Sequence, residues 1–300
     1  MKKNLVIYHA NCVDGFASAW AAWKFLGEEY TDYWSWNYGE HLGLQHYAKL
    51  TNTIVYIVDF SFSRTETLNI CEVAERVIVL DHHKTAQKAL SNWEDIPNNI
   101  EIVFDMERSG AGITWDYFSV RSERMPYRPT LIDYVEDRDL WRFALARSKE
   151  INGRIGFTPK VFAHYTETAD DLTWDIDRVA REGELLAAQH QKFCEEIVLN
   201  CREININGHI GLACNCTPQF ASEVGNLLAI QSGTYGATYC SDRTGSVKYS
   251  LRSIGEYDVS TIAKQFGGGG HKNAAGFSLD PNETDRSNCI KIWTLKGDAT

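Results

Sequence analysis

The chain has no apolar run approaching the roughly 18 to 20 residues of a membrane helix. Its opening, MKKNLVIYHA, lacks the long apolar core and small-residue cleavage site of a secretory signal. That opening reads instead as the approach to a first strand over 5–8, and a cytoplasmic location is expected. There is also no C-x-x-C pair. The eight cysteines are scattered, and the nearest two, Cys214 and Cys216, stand at C-x-C spacing. This disfavours a zinc ribbon and fits reduced thiols. A basic excess is missing as well. The formal net charge of −10 excludes a broad cationic face for coating long duplex DNA. It is compatible with a short or small phosphorylated substrate, and part of the acidic excess can be metal ligands.

What is present is an alternation of strands and helices over 300 residues, enough for one large or two ordinary domains. Compact runs rich in Val and Ile at 5–8, 54–58, 77–80 and 101–104 alternate with helical patterns, which predicts an α/β domain with a mostly parallel sheet. Phe16, Trp20 and Trp23 form the apolar stripe of the first helix, and Gly27 is its stop. Ser63 and Glu66 read as a capping box. From Asp175 to about Asn200 one long helix is expected, with Ile176, Val179, Gly183, Leu186, His190, Phe193 and Ile197 on its buried side. Short strands over 210–214, 237–240 and 247–251, with helices over 222–230 and 259–266, follow as a smaller α/β domain. The expected division is a catalytic domain over 1–175, a connecting helix over 176–202, a substrate-binding domain over 203–285 and a polar tail over 286–300.

In an open parallel sheet, ligands bind at the carboxyl ends of the strands. The first strand runs into His9, Asn11 and Asp14, the next ends at Asp59, and the third ends at Asp81, His82 and His83. A fourth element, YVEDRDLWRF, brings Asp137 and Asp139. Singly, such residues cap helices or sit in solvent. Their joint placement points to a metal site. Asp and His ligands without a suitably placed thiolate favour Mn²⁺, with Mg²⁺ as the alternative. One carboxylate can bridge two ions roughly 3.5 to 4 Å apart, and such a pair clamps a phosphoryl group and activates a water.

The segment FGGGGHKNAAGF, residues 266–277, is the second informative stretch. Gly268, Gly269 and Gly270 let the backbone approach a ligand with free N–H groups, and His271 and Lys272 add charged donors. On an upstream strand, Ser250 and Arg252 offer a hydroxyl and a guanidinium fork for phosphate.

Asp81-His82-His83 after an apolar strand and GGGGHKNAAG over 267–276, in this order, resemble the DHH phosphoesterase superfamily with its DHH-associated C-terminal domain. The resemblance covers about residues 4 to 280 and is greatest to the oligoribonuclease-like and cyclic-nucleotide phosphodiesterase-like branch. It implies a two-Mn²⁺ site. His9 and Asp14 match the first-strand ligands, Asp59 the bridging carboxylate, and His82 and Asp137 the ligands of the second ion. Asp81 matches the residue that orients the histidines, and His83 the one facing the scissile phosphate. The loop with His271 would bind the nucleotide or phosphate portion of the substrate. The usual first motif has a second Asp where this chain has Phe16, which leaves the second ion weakly held unless Asp139 substitutes. The function implied is phosphodiester hydrolysis in a short oligonucleotide or small cyclic nucleotide. The alternatives are a nucleotide phosphomonoesterase and a nucleotide-binding sensor without turnover.

Overall fold

The computed structural model describes residues 3–91, 93, 95–122, 127–280 and 289–293. It divides into two compact units, 1–187 and 188–300. The first contains strands β1 (Asn4–His9), β2 (Thr31–Trp36), β3 (Ile54–Val58), β4 (Arg76–Asp81) and β5 (Ile100–Phe104). They form one sheet in the order β2-β1-β3-β4-β5, and every pairing is parallel. Helices α1 (Val13–Leu26), α2 (Leu44–Leu50), α3 (Arg64–Val73), α4 (Lys84–Leu90) and α5 (Gly110–Ser119) accompany the strands. After them come α6 (Thr130–Asp139), α7 (Ser148–Phe157) and α8 (Phe162–Trp174).

The strand pleat sorts the apolar residues onto two faces. Ile7, Val55, Ile57, Val77 and Val79 pack with Leu50, Ile70 and Cys71 on one side. Val6, Val58, Ile78 and Leu80 pack with Ala22, Ile113 and Phe118 on the other. A third core joins α1, α5 and the later helices through Phe16, Trp20, Trp115, Leu131, Ile151 and Tyr165. Gly27 ends α1 with φ +64°. The Ser63 hydroxyl caps α3 by accepting from the Glu66 amide. The reciprocal half of that capping box is replaced, because the Glu66 carboxylate accepts from the Leu42 amide and the Tyr47 hydroxyl.

Helix α9 (Ile176–Val198) is the long helix. Val179, Ala180, Gly183 and Cys194 are buried along it, whereas Ile176 and Phe193, expected on its buried side, are exposed. The division between units falls inside α9, at Ala187 and Ala188.

The second unit holds β6 (Arg202–Ile206), β7 (His209–Asn215), β8 (Tyr235–Ser241), β9 (Val247–Ser253), β10 (Gly269–Gly270), β11 (Ala274–Leu279) and β12 (Ile290–Trp293), with α10 (Ala221–Ser232) and α11 (Val259–Gln265). Its sheet runs β10-β11-β9-β8-β7-β6-β12. Only β7 and β8 pair in parallel among the described strands of this sheet. Ile204, Ala237, Leu251, Ile262 and Phe266 form its main core. Strand β12 lies in the stretch expected from sequence to be a tail. Residues 281–285 of the expected substrate-binding domain, and 286–288 and 294–300 of that tail, lie outside the described residues. Among the described residues no helix is long and apolar enough to cross a membrane.

Candidate metal centre

Because β1, β3 and β4 are parallel, their carboxyl ends share one edge of the sheet. His9 closes β1, Asp59 follows β3, and Asp81, His82 and His83 end and follow β4. Asp59 occupies the left-handed region at φ +51° and Asn11 at φ +57°. The chain is bent sharply at both positions as it leaves β3 and β1. Asp139, the last residue of α6, reaches the same place.

Asp59 is 1% exposed and faces two ways. Its Oδ1 lies 3.1 Å from His82 Nε2, and its Oδ2 lies 3.6 Å from His9 Nδ1. His82 Nε2 is also 3.7 Å from Asp14 Oδ2 and 3.6 Å from Asp139 Oδ2. The ligand atoms of Asp14, His82 and Asp139 lie within 4.8 Å of one another, and so do those of His9, Cys12 and Asp59. Asp14 is aimed by the start of α5, where the Gly110 and Ala111 amides donate to its two oxygens at 2.7 and 3.0 Å. Gly110 has to be glycine for this approach, since a Cβ there would fall 2.4 Å from the Asp59 Cβ.

Asp81 holds the histidines. Its Oδ1 accepts from the His82 amide at 2.7 Å and lies 2.7 Å from His83 Nδ1, while Oδ2 accepts from the Ser61 hydroxyl. A carboxylate can only accept, so Nδ1 of His83 carries the proton. The rings of Tyr38 and Phe60 flank His9.

Electrostatically the site is a cluster of acids with two imidazoles set among them. Burial alone would lower the pKa values of His9 and His82, yet Asp59 with Cys12 at His9, and Asp59 with Asp139 and Asp14 at His82, push each up to about 11. Burial, with the charges of Asp59 and Asp139, pushes Asp14 well up. Burial and Asp59 also raise Asp139. For Asp59, burial is outweighed by its contacts with His82 and His9, which hold it far below the usual carboxylate range. His9 Nδ1 and Asp59 Oδ2 are buried and have no hydrogen-bond partner. Buried ligand atoms without a hydrogen-bond partner, set amid clustered carboxylates, are what a divalent cation would satisfy once it displaces the imidazole proton, so these residues fit metal binding.

The structure brings some of the sequence-predicted residues together and leaves others apart. Asp137 is not among the converging groups. Its carboxylate is occupied by the Ala144 and Leu145 amides and the Ser148 hydroxyl, and Asp139 stands by His82 in its stead. Asp14 groups with His82 rather than with His9. A thiol is also present, since Cys12 Sγ lies beside His9 and Asp59, with its pKa raised by burial. Phe16 belongs to the core, where it stacks on Phe162 and meets Tyr165 edge-on.

Next to this site, Glu136 accepts from the Ser109 amide and from Arg108 and Arg128. Arg108 continues to Asp116, and Arg128 pairs with Asp133. Gly112 leaves room for Glu136, because a Cβ there would lie 2.1 Å from its Oε2.

In the second unit, the glycine run forms a hairpin rather than an open cradle. The Gly267 and Gly268 amides donate to the Lys264 and Ala263 carbonyls, satisfying the end of α11. Gly269 and Gly270 pair with Gly276 and Ala275. The expectation of free N–H groups therefore fails for Gly267 and Gly268. His271 lies at the hairpin turn, its amide donating to the Ala274 carbonyl. Lys272 pairs with Glu256. Ser250 is in β9, as is Arg252, whose guanidinium donates to the Ser222 hydroxyl and the Leu251 carbonyl.

Comparison with known proteins agrees with this construction. The DHHA1 domain model matches residues 217–288. Uncharacterized protein R106 of Acanthamoeba polyphaga mimivirus is 32% identical over 303 residues, covering 92% of this chain and 67% of that protein. Two solved structures share the fold. An exopolyphosphatase-related protein from Bacteroides fragilis has a TM-score of 0.55 at 15% identity, over 96% of this chain and 90% of that one. RecJ from Thermus thermophilus, in complex with Mn²⁺, has a TM-score of 0.50 at 15% identity, over 93% of this chain and 50% of that one. The DHHA1 domain over 217–288, joined to the shared fold, makes the chain a member of the DHH phosphoesterase superfamily. Within it, the chain shares a family with R106.

Proposed function

We propose that the chain is a phosphodiesterase that hydrolyses short oligonucleotides or small cyclic nucleotides with two divalent ions, Mn²⁺ being the ion that suits its Asp and His ligands. One observation carries this reading. Asp59 turns one oxygen to His82 and the other to His9, the arrangement a carboxylate needs to serve two ions at once. When bound, such ions supply Lewis-acid stabilisation of phosphoryl oxygens and a water of lowered pKa. The chain's own residues do the rest. The α5 amides fix Asp14, Asp81 fixes the His83 ring through Nδ1, and His83 is assigned to face the scissile phosphate. Ser250, Arg252, Gly268, Gly269, Gly270, His271 and Lys272 are assigned to the nucleotide or phosphate portion of the substrate. The net charge of −10 favours a small substrate over long duplex DNA.

The test is a substrate panel of dinucleotides, short RNA, cyclic mono- and dinucleotides and nucleoside 3′-phosphates, with chelator-treated protein before and after Mn²⁺. Diester cleavage restored by Mn²⁺ is expected. Cleavage of monoesters alone would replace this reading by a phosphomonoesterase. Tight nucleotide binding without turnover would replace it by a sensor. Full turnover in excess chelator, with no metal bound, would end the two-ion account.

A further inference from the structure

We infer that the Cys12 thiolate is a ligand of the ion held by His9 and Asp59, and that this position therefore prefers a borderline ion such as zinc, cobalt(II) or iron(II) over Mn²⁺ or Mg²⁺. The inference rests on the proposal that the centre binds divalent ions. It adds that the two positions differ in kind, one with N, O and S donors and the other, at Asp14, His82 and Asp139, with N and O donors only.

Geometry supports this. The ligand atoms of His9, Cys12 and Asp59 lie within 4.8 Å of one another. His9 Nδ1 and Asp59 Oδ2 are 3.6 Å apart, too long for a good hydrogen bond. Two ligands bound at about 2.0 to 2.1 Å at a tetrahedral angle are separated by about 3.4 Å, close to what is seen. Both atoms are buried without a hydrogen-bond partner, and Asp59 is almost wholly enclosed. Cys12 is the N-cap residue of α1, yet its side chain makes no capping hydrogen bond. The left-handed Asn11 just before it folds the chain back so that residues 9 and 12 face one point. Three protein ligands with one position open to water or substrate is the composition of a catalytic zinc site, and thiolate selects for softer ions than carboxylate does. On ligation the Cys12 S–H bond breaks, its proton passes to solvent, a sulfur–metal bond forms and a metal-bound water leaves.

The experiment uses the full chain, stripped by chelator and titrated with Co²⁺. The wild type is expected to show a near-ultraviolet thiolate-to-cobalt charge-transfer band beside its visible ligand-field bands. Cys12→Ser and Cys12→Ala should lose the charge-transfer band. In competition dialysis, the zinc-to-manganese occupancy ratio should fall by at least about tenfold in Cys12→Ser. A measurement needing no variant is alkylation of the wild type by iodoacetamide, read peptide by peptide, in which zinc should protect Cys12. Cobalt bound with unchanged spectra in both variants, or Cys12 alkylated equally with and without zinc, would overturn the inference and leave the two-ion reading intact. Failure of the wild type to bind cobalt, zinc or manganese at all would overturn both.

Discussion

Adjacent amides at the start of α5 serve two carboxylates that end in opposite states. The Ser109 amide donates to Glu136, and the Gly110 and Ala111 amides donate to Asp14. Burial opposes the charge of both. At Glu136 it is outweighed by the Ser109 amide, Arg128 and Arg108, and the pKa is lowered. At Asp14 burial is reinforced by Asp59 and Asp139, and the pKa is raised. Acid and base therefore alternate in the Glu136 cluster, which is complete in itself. Acids crowd around Asp14, as the proposed ion site would require. The difference separates a charged cluster that holds a fold from one that holds a guest.

The largest effect that can break this contrast is Asp59→Ala. It removes the group shared by both candidate ion positions, so turnover should fall by more than about 1,000-fold, or about 4 kcal/mol. Dialysis should show the ions gone. A variant near wild-type rate would refute the bridging assignment. Glu136→Ala should act on stability instead, costing about 2 to 3 kcal/mol because its arginines reach solvent and recover part of the loss. Metal stoichiometry should persist. The Glu136 pKa is depressed in the fold, so its contribution is present above the ordinary glutamate range and is lost as pH falls through the lowered value. Urea unfolding of wild type and Glu136→Gln should accordingly converge on acidification. A gap that widens at low pH would contradict the sign.

Asp81→Asn is expected to lower turnover by roughly 10- to 100-fold with both ions retained, since it orients ligands without holding an ion. Smaller still is Asp137→Asn, which should cost about 1 kcal/mol of stability through its loop hydrogen bonds and leave metal affinity unchanged. Asp139→Asn should instead weaken an ion in calorimetric titration. The reverse pattern would restore Asp137 as the ligand.

The legible parts of the sequence are those where one physical cause dominates. Strands β1, β3, β4 and β5 show as apolar runs because strands of a parallel sheet are covered on both faces. Strand β2, TDYWSW, is not legible, because it mixes polar and aromatic residues without a Val or Ile run, unlike the other edge strand β5, IEIVF. The choice between Asp137 and Asp139 is beyond the sequence for a related reason. Two residues apart on a helix, they point to different sides, and only the packing of residues 144–148 shows which one is already occupied. Cys12 is hidden because a search for thiol pairs passes over a single cysteine that a left-handed Asn11 brings beside His9. The glycine run is legible as a site of close backbone approach. The partner of that approach is the protein's own strand β11, where a Cβ at Gly268 would lie 2.1 Å from the Gly276 carbonyl oxygen.

The hydrogen bond from Gly110 to Asp14 spans 96 positions of chain. Asp14 precedes α5 in the chain, but the amides that aim it are in place only once the beginning of α5 has been made and docked, and Asp139 comes later again. During synthesis the first candidate ligands therefore emerge long before they can form a site. An ion can be captured in the native arrangement only once nearly all of the first unit has folded. On the proposed function, metal loading would report completion of that unit, and protein truncated before α6 would carry the early candidate ligands without the means to use them.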